Sequence, residues 1–217
     1  MTADAVIRVS GSAADFHARE LPATAGVWQF EVERPTIVLG SRQTAEVLDA
    51  DACRRRQVQI VRRRSGGGVV LLVPGATEWI DVVVPAGDRR WDDDVRRSMI
   101  GVGERWVEAL RGVVDGELTV HRGSMMRTAW SELSCFAGIA PGEVLLDGVK
   151  LVGLSQRRTR HAARFQCALN RQFDVELLIE LLVGPLPSPH PPVAVLPPTA
   201  TQVAQRLLDT LGGASSA

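Results

Sequence analysis

Seven of the chain's 12 prolines fall between Gly184 and Pro198. Proline fixes φ and has no N–H to donate, so this stretch can hold neither a helix nor an interior strand. It is expected to run extended over the surface, as a connector at 184–198 between a main domain at 1–183 and a short helix and tail at 199–217. The main segment is long enough to bury a sizeable core. After the connector, Val203, Leu207, Leu208 and Leu211 recur on one side of Thr199–Leu211, which predicts a single terminal helix.

Ahead of the connector, strands and helices intermix. Residues 1–26 are Ala-rich and predict only a short helix over Ala13–Glu20. Alternation predicts strands at Val27–Glu33 and Thr36–Leu39, separated by Arg34-Pro35 in a hairpin-like start. A helix over 44–56 puts Val47, Leu48 and Cys53 on its apolar side, and the β-branched Val58–Arg62 reads as a strand. Two further strands, Val69–Val73 and Trp79–Val84, flank the turn Pro74-Gly75. Asp92, Asp93 and Asp94 supply the cap of a helix whose apolar residues, from Val95 through Met99, Val102, Trp106 and Leu110, continue to Val114. Between Val144–Leu146 and Val149–Leu154 stands Asp147-Gly148, which tolerates the positive φ angles of a two-residue hairpin turn. Phe165–Leu169 is a last strand and Val175–Val183 a helix.

Composition narrows the function. Twenty-five basic residues balance 25 acidic ones, which removes the long-range field that would steer the chain onto nucleic acid or an anionic membrane. Neither is expected as a partner. Met1–Ser10 has no basic-then-apolar pattern, and the longest apolar run is Val69–Val73, so neither a signal peptide nor a membrane span is expected and the expected compartment is cytoplasmic. Cys53, Cys135 and Cys167 are odd in number and widely spaced, which suits a reducing setting and gives no disulfide framework or zinc pattern. His17, His121, His161 and His190 have no paired ligand spacing, and no metal is assigned to them.

Three clusters carry candidate chemistry. In Arg62-Arg63-Arg64-Ser65-Gly66-Gly67-Gly68, three glycines let backbone N–H groups approach an anion, and arginines can supply bidentate bonds to carboxylate or phosphate; the alternative is a flexible turn flanked by solvated charge. No Gly-Lys-Ser/Thr follows, which excludes a P-loop. Lys150 is the only lysine; the other 24 basic residues are arginine. On a strand it shares a face with Val152, Leu154 and Gln156, which would point a compact cation into a pocket; the alternative is an exposed strand end. Gly153 within that strand suggests a bulge or close ligand approach. Cys135, on a loop, is either a nucleophile or a buried, inert packing residue, and Cys53 and Cys167 read as packing residues.

Taken in order, Pro35-Thr36-Ile37-Val38-Leu39-Gly40-Ser41-Arg42-Gln43, Arg62–Gly68 and Asp147–Gln156 resemble the lipoate-protein ligase A and lipoyl/octanoyl transferase family over about residues 25–185. The resemblance implies the catalytic-domain fold that this family shares with biotin ligases, an α/β (α+β) domain with a mixed, largely antiparallel sheet flanked by helices, although the biotin ligases' Gly-Arg-Gly-Arg-x-Gly loop is missing. It implies an acyl chain, lipoate or octanoate, in an apolar tunnel. Its activated end would be held by Arg62, Arg63, Ser65, Gly66, Gly67, Gly68 and Val69 and by Gly153 and Ser155, with Lys150 catalytic. The acceptor would be a lysine of a lipoyl carrier domain, that of a glycine-cleavage H protein or a 2-oxoacid dehydrogenase E2, and acyl carrier protein is a candidate donor. Cys135-Phe136 resembles the nucleophile segment of cysteine-dependent octanoyltransferases, which implies a thioester on Cys135.

Two departures stand against this pattern. Many members carry a histidine after the glycines, where this chain reads Val69-Val70-Leu71-Leu72-Val73. Full-length ligases carry a C-terminal accessory domain, where this chain has the proline stretch and one helix, so activation by ATP and Mg would need a separate subunit. An ATP-dependent ligase and a non-catalytic acyl- or partner-binding relative are therefore the alternatives to an acyltransferase. Replacing Lys150 by Ala is expected to end carrier acylation and leave the fold intact.

Overall fold

The computed structural model of the protein describes residues 5–20 and 24–212. Its strands are β1 (Ile7–Gly11), β2 (Gly26–Val32), β3 (Thr36–Leu39), β4 (Gln59–Arg62), β5 (Val70–Leu72), β6 (Thr77–Pro85), β7 (Leu118–Val120), β8 (Val144–Leu146), β9 (Val149–Arg158) and β10 (Ala162–Asn170). The helices are α1 (Ala13–Ala18), α2 (Ala50–Arg55), α3 (Val95–Leu110), α4 (Val175–Glu180) and α5 (Val203–Gly212). Seven strands form a sheet in the order β1-β2-β6-β10-β9-β8-β7, and three form a second sheet in the order β4-β3-β5. Only β1 runs parallel to its neighbour in the larger sheet. The mixed, largely antiparallel sheet flanked by helices is thus present, with a small second sheet that the sequence pattern does not announce.

Apolar residues sort into three cores. One lies between the large sheet and helices α3 and α5, centred on Trp106, Leu110, Leu151, Phe165 and Leu207. A second lies between the two sheets and joins Phe16, Phe30, Val38, Leu72 and Trp79. On the far face of the small sheet, Ile37, Leu39 and Leu71 pack with Leu178, Leu181 and Trp130. Each such side chain, fully buried, contributes about 1.5–3 kcal/mol against chain entropy. Asp94 caps α3 by accepting from the Arg97 N–H at 2.8 Å, which satisfies one of the helix's orphan donors.

Local turn chemistry is realised and long-range pairing is not what the sequence suggests. Asp147 and Gly148 adopt φ of 50° and 79° between β8 and β9, the turn that Asp-Gly favours. The hairpin predicted over residues 27–39 does not form. Strand β2 pairs with β1 and β6 in the large sheet, whereas β3 sits between β4 and β5 in the small one. Arg34-Pro35 is a crossing between sheets. The helix predicted over 44–56 is interrupted at Leu48, which bridges to Leu182, leaving a 3₁₀ turn at Ala45–Val47 and α2. The proline stretch forms no helix and no named strand; it runs along the large sheet, where the Ala194 N–H donates to the Lys150 carbonyl at 3.0 Å and Leu196 to that of Asn170 at 2.8 Å. The terminal helix starts at Val203 rather than Thr199, and residues 213–217 of the expected tail lie outside the described residues.

Candidate active site

A cavity of about 760 Å³ opens between the two sheets. Val38, Val70 and Leu72 of the small sheet and Trp79 and Ala168 of the large one give it apolar walls. At one end Lys150, Glu143, Cys135, Arg63, Gly66 and Gly67 make it polar. The combination suits a ligand with an apolar chain and a polar head.

The glycine loop builds part of that polar end. It does not connect hairpin partners, because β4 and β5 lie on opposite sides of β3, and Arg63 holds its path. Arg63 is 5% exposed and donates to the carbonyls of Val38 at 3.1 Å, Gly66 at 2.8 Å and Gly68 at 2.7 Å, and to Ser65 Oγ at 3.1 Å. Burial pulls this guanidinium below its ordinary value, and the neighbouring Cys135 opposes that shift. Gly67 has φ of 95°, and a Cβ there would stand 3.6 Å from Cys135 Sγ. A Cβ on Gly68 would stand 2.6 Å from the Ser134 nitrogen, whereas one on Gly66 would meet nothing within 4 Å. Gly68 is therefore glycine for packing, and Gly66 faces open space.

The remaining loop residues lie apart from the large cavity. Arg62 points outward and donates to the carbonyls of Gly40 and Gln43. Ser65 lines a smaller neighbouring cavity. Val69 is 2% exposed in the core beyond the small sheet. Its N–H donates to the Leu133 carbonyl at 2.9 Å and its carbonyl accepts from the Cys135 N–H at 2.9 Å, so it sets the position of Cys135 through the backbone.

Lys150 reaches the cavity by a register change. Leu145 pairs with Lys150, yet Val144 pairs with Val152, leaving Leu151 as an extra residue on β9. Such a bulge reverses which side chains share a face. The expected grouping of Lys150 with Val152, Leu154 and Gln156 is therefore wrong: Val152 and Leu154 belong to the core under α3, and Gln156 donates to Ser98 of that helix at 3.1 Å. Lys150 instead lies over Gly153, where a Cβ would stand 3.2 Å from Lys150 Cε, and both line the cavity with Ser155. Its ammonium is paired with Glu143 Oε1 at 2.6 Å and donates to the carbonyls of Cys135 at 2.9 Å and Gly138 at 3.1 Å.

Cys135 opens a 3₁₀ turn, Cys135–Ala137, and is partly exposed, while Cys53 and Cys167 are buried. The turn is braced from the proline stretch: His190 Nε2 lies 3.0 Å from Ser134 Oγ, and Trp130 Nε1 donates to the Pro189 carbonyl at 3.1 Å. Sequence reasoning misses Glu143, a lone carboxylate after Pro141-Gly142 with no motif around it. It also misses His17, which comes from α1 to line the cavity. Burial first, then Arg164 and Arg63, hold the His17 imidazole down at about 4. Among the described residues no cluster of three or more His, Cys, Asp or Glu could hold a metal ion, and no helix is long and apolar enough to cross a membrane.

The model of one protein family, the lipoyl protein ligase A/B catalytic domain, matches residues 16–209. Solved structures of similar fold include the Thermoplasma acidophilum protein Ta0514 with bound lipoic acid (TM-score 0.68, 16% identity, 95% of this chain and 83% of that one). A bi-partite lipoate protein ligase from the same organism, studied with its E2 lipoyl domain, aligns with TM-score 0.68 and 15% identity over 95% of this chain and 81% of that one. A lipoate-protein ligase A bound with ATP gives 0.68 and 16% over 95% and 85%. At such identities these likenesses establish fold. No curated protein matches the chain in sequence.

Proposed function

Because the chain belongs to the lipoyl protein ligase A/B catalytic domain family, we propose that it transfers an octanoyl or lipoyl group to the lysine of a lipoyl carrier domain through a thioester on Cys135. The observation that carries this reading is the convergence of Cys135, Arg63, Gly67 and Lys150 in one cavity that also has apolar walls from Val38, Val70, Leu72, Trp79 and Ala168. In the first step the Cys135 sulfur attacks the carbonyl of an acyl thioester, the donor thiol leaves, and the Cys135 proton passes to it. In the second the carrier amine attacks the new thioester, an amide forms, and the proton lost by the amine returns to the Cys135 sulfur. Cationic donors and glycine N–H groups beside the carbonyl stabilise the oxyanion of each step. Roles are assigned on this basis to Cys135 and Lys150 as catalytic residues and to Gly66, Gly67, Gly153 and Ser155 as substrate contacts. Arg63 shapes the loop.

A second reading, an ATP-dependent ligase with a separate accessory subunit, draws support from the bi-partite ligase and the ATP-bound ligase that share the fold. One experiment divides the two. Intact-mass analysis of the protein mixed with octanoyl-acyl carrier protein, without ATP, is expected to show a hydroxylamine-labile octanoyl adduct on wild type and none on Cys135→Ser. Absence of the adduct, with carrier acylation appearing only when ATP, Mg and free lipoate are added, overturns the thioester route in favour of adenylation.

A further inference from the structure

The proline stretch delivers a histidine to the edge of the site. His190 stands between Pro189 and Pro191. A residue before proline is confined to extended backbone, so this imidazole is placed at little further cost in chain entropy. Its Nδ1 lies 2.6 Å from the Pro191 carbonyl and its Nε2 3.0 Å from Ser134 Oγ. A carbonyl only accepts, so Nδ1 carries the proton, and the bare Nε2 accepts from the Ser134 hydroxyl. Burial, against the pull of the Pro191 carbonyl, holds the imidazole below its ordinary value, which favours the neutral form this arrangement needs.

The pair grips the residue next in the chain. Ser134 is 2% exposed and does not line the large cavity, whereas Cys135 does. The Ser134 N–H donates to the Trp130 carbonyl at 2.7 Å, and its carbonyl accepts from the Ala137 N–H at 3.1 Å. Gly68 packs against the backbone of the same residue, where a Cβ would stand 2.6 Å from the Ser134 nitrogen. The glycine loop therefore holds Ser134 from one side and His190 holds its hydroxyl from another. A second chain of contacts reaches Lys150: the His190 ring lies 5.3 Å from that of Phe173, Phe173 lies 6.1 Å from Phe136, and Lys150 Nζ stands 5.1 Å from the centre of the Phe136 ring. Neither His190 nor Phe173 lines the large cavity, so both act on the site through other residues.

We propose that His190 is a positioning residue for acyl transfer, acting through the Ser134 hydroxyl to fix the Cys135 thiol against the glycine loop and Lys150. The proposal rests on the reading of Cys135 as the acyl acceptor. It makes residues 184–198 part of the catalytic unit rather than a connector. Displacing a reacting atom by about 1 Å costs on the order of 100-fold in rate, so one hydrogen bond beside the nucleophile has leverage that its own strength does not suggest.

The test compares wild type with His190→Phe, which keeps a ring between Trp130 and Phe173, with Ser134→Ala, which removes the other partner, and with His190→Gln, whose amide oxygen can accept from Ser134. Two rates are measured on each folded variant. One is alkylation of the three cysteines by iodoacetamide, mapped by peptide mass; the other is octanoyl transfer from octanoyl-acyl carrier protein to Cys135. In His190→Phe and Ser134→Ala, alkylation is expected to rise several-fold at Cys135 alone, because the loosened turn exposes it, while the buried Cys53 and Cys167 stay protected. Transfer is expected to fall about tenfold with an unchanged half-saturating donor concentration, and to recover in His190→Gln. A rise shared by all three cysteines marks general loosening and overturns the proposal, as does wild-type alkylation of Cys135 in a folded His190→Phe or Ser134→Ala. If wild type takes up no octanoyl group while alkylation of Cys135 responds as expected, the thioester reading fails and the placement of Cys135 by His190 stands.

Discussion

Lys150 Nζ lies 2.6 Å from Glu143 Oε1, and the two side chains are 2% and 3% exposed. The carboxylate is itself anchored, accepting from the Ala140 N–H at 2.8 Å and the Leu154 N–H at 3.2 Å. Each group thus holds the other, and Lys150→Ala is expected to destabilise the fold rather than leave it intact. Removing one partner of a buried pair strands the other charge, at about 3–5 kcal/mol.

From this pair follows a separation of stability from catalysis. Lys150→Met and Glu143→Gln are each expected to lower stability by about 3 kcal/mol, and the double variant to recover most of that loss. Carrier acylation is expected to be absent in Lys150→Met and to stay absent in the double variant. Urea midpoints read the first quantity and intact mass of the carrier domain the second. An active double variant would remove Lys150 from the catalytic assignment.

Gly66 and Gly68 predict opposite outcomes for one substitution. At Gly68 a new Cβ meets backbone of Leu133 and Ser134 at 2.6–2.8 Å, so Gly68→Ala should destabilise by about 1–3 kcal/mol and displace the Cys135 segment. Gly66→Ala meets nothing and should stay within about 0.5 kcal/mol of wild type. Thermal unfolding of the two variants side by side checks the contrast.

Arg63→Lys is not conservative here. A point-charge ammonium cannot reproduce a fork that reaches the Val38, Gly66 and Gly68 carbonyls and Ser65 Oγ together. Leaving buried carbonyls unpaired is expected to cost about 3 kcal/mol, read as a lower urea midpoint with unchanged slope.

His17 predicts an acid-side loss of stability. Its folded value of about 4 lies below the ordinary 6.5, so over that window the unfolded chain takes up the proton and the folded one does not. Stability from this group is full above pH 6.5 and falls as pH drops towards 4, by up to about 3 kcal/mol. Asp81, pushed up to about 6 by burial against the pull of Arg164, slopes the other way between its ordinary 3.8 and 6. Comparing His17→Gln with wild type leaves Asp81 constant, and the variant should show a flatter decline from pH 6.5 to 4. Parallel pH profiles of unfolding free energy would contradict the assignment.

What the sequence discloses depends on how far its information travels. The Asp147-Gly148 turn and the α3 cap are local, and both are readable because the residues that set them are adjacent. Lys150 is conspicuous as the only lysine, but its face is set by a bulge between β8 and β9 that alternation in one strand cannot show. Strands β2 and β3 look like a hairpin because only three residues separate them, yet their partners β6 and β4 lie farther along the chain. For Arg63 the motif marks the position, while its bonding depends on where the Val38 carbonyl comes to rest.

Lysine usage has a chemical corollary. Acyl thioesters and acyl adenylates react with any accessible primary amine, but a guanidinium, being fully protonated at neutral pH, is not acylated under the same conditions. With the only lysine of this chain lining the inner cavity, its Nζ turned to Glu143 and two carbonyls, the outer surface offers no lysine side chain to intercept an activated acyl group. Under the proposed acyl transfer, the donor is not lost to lysines on the protein's outer surface.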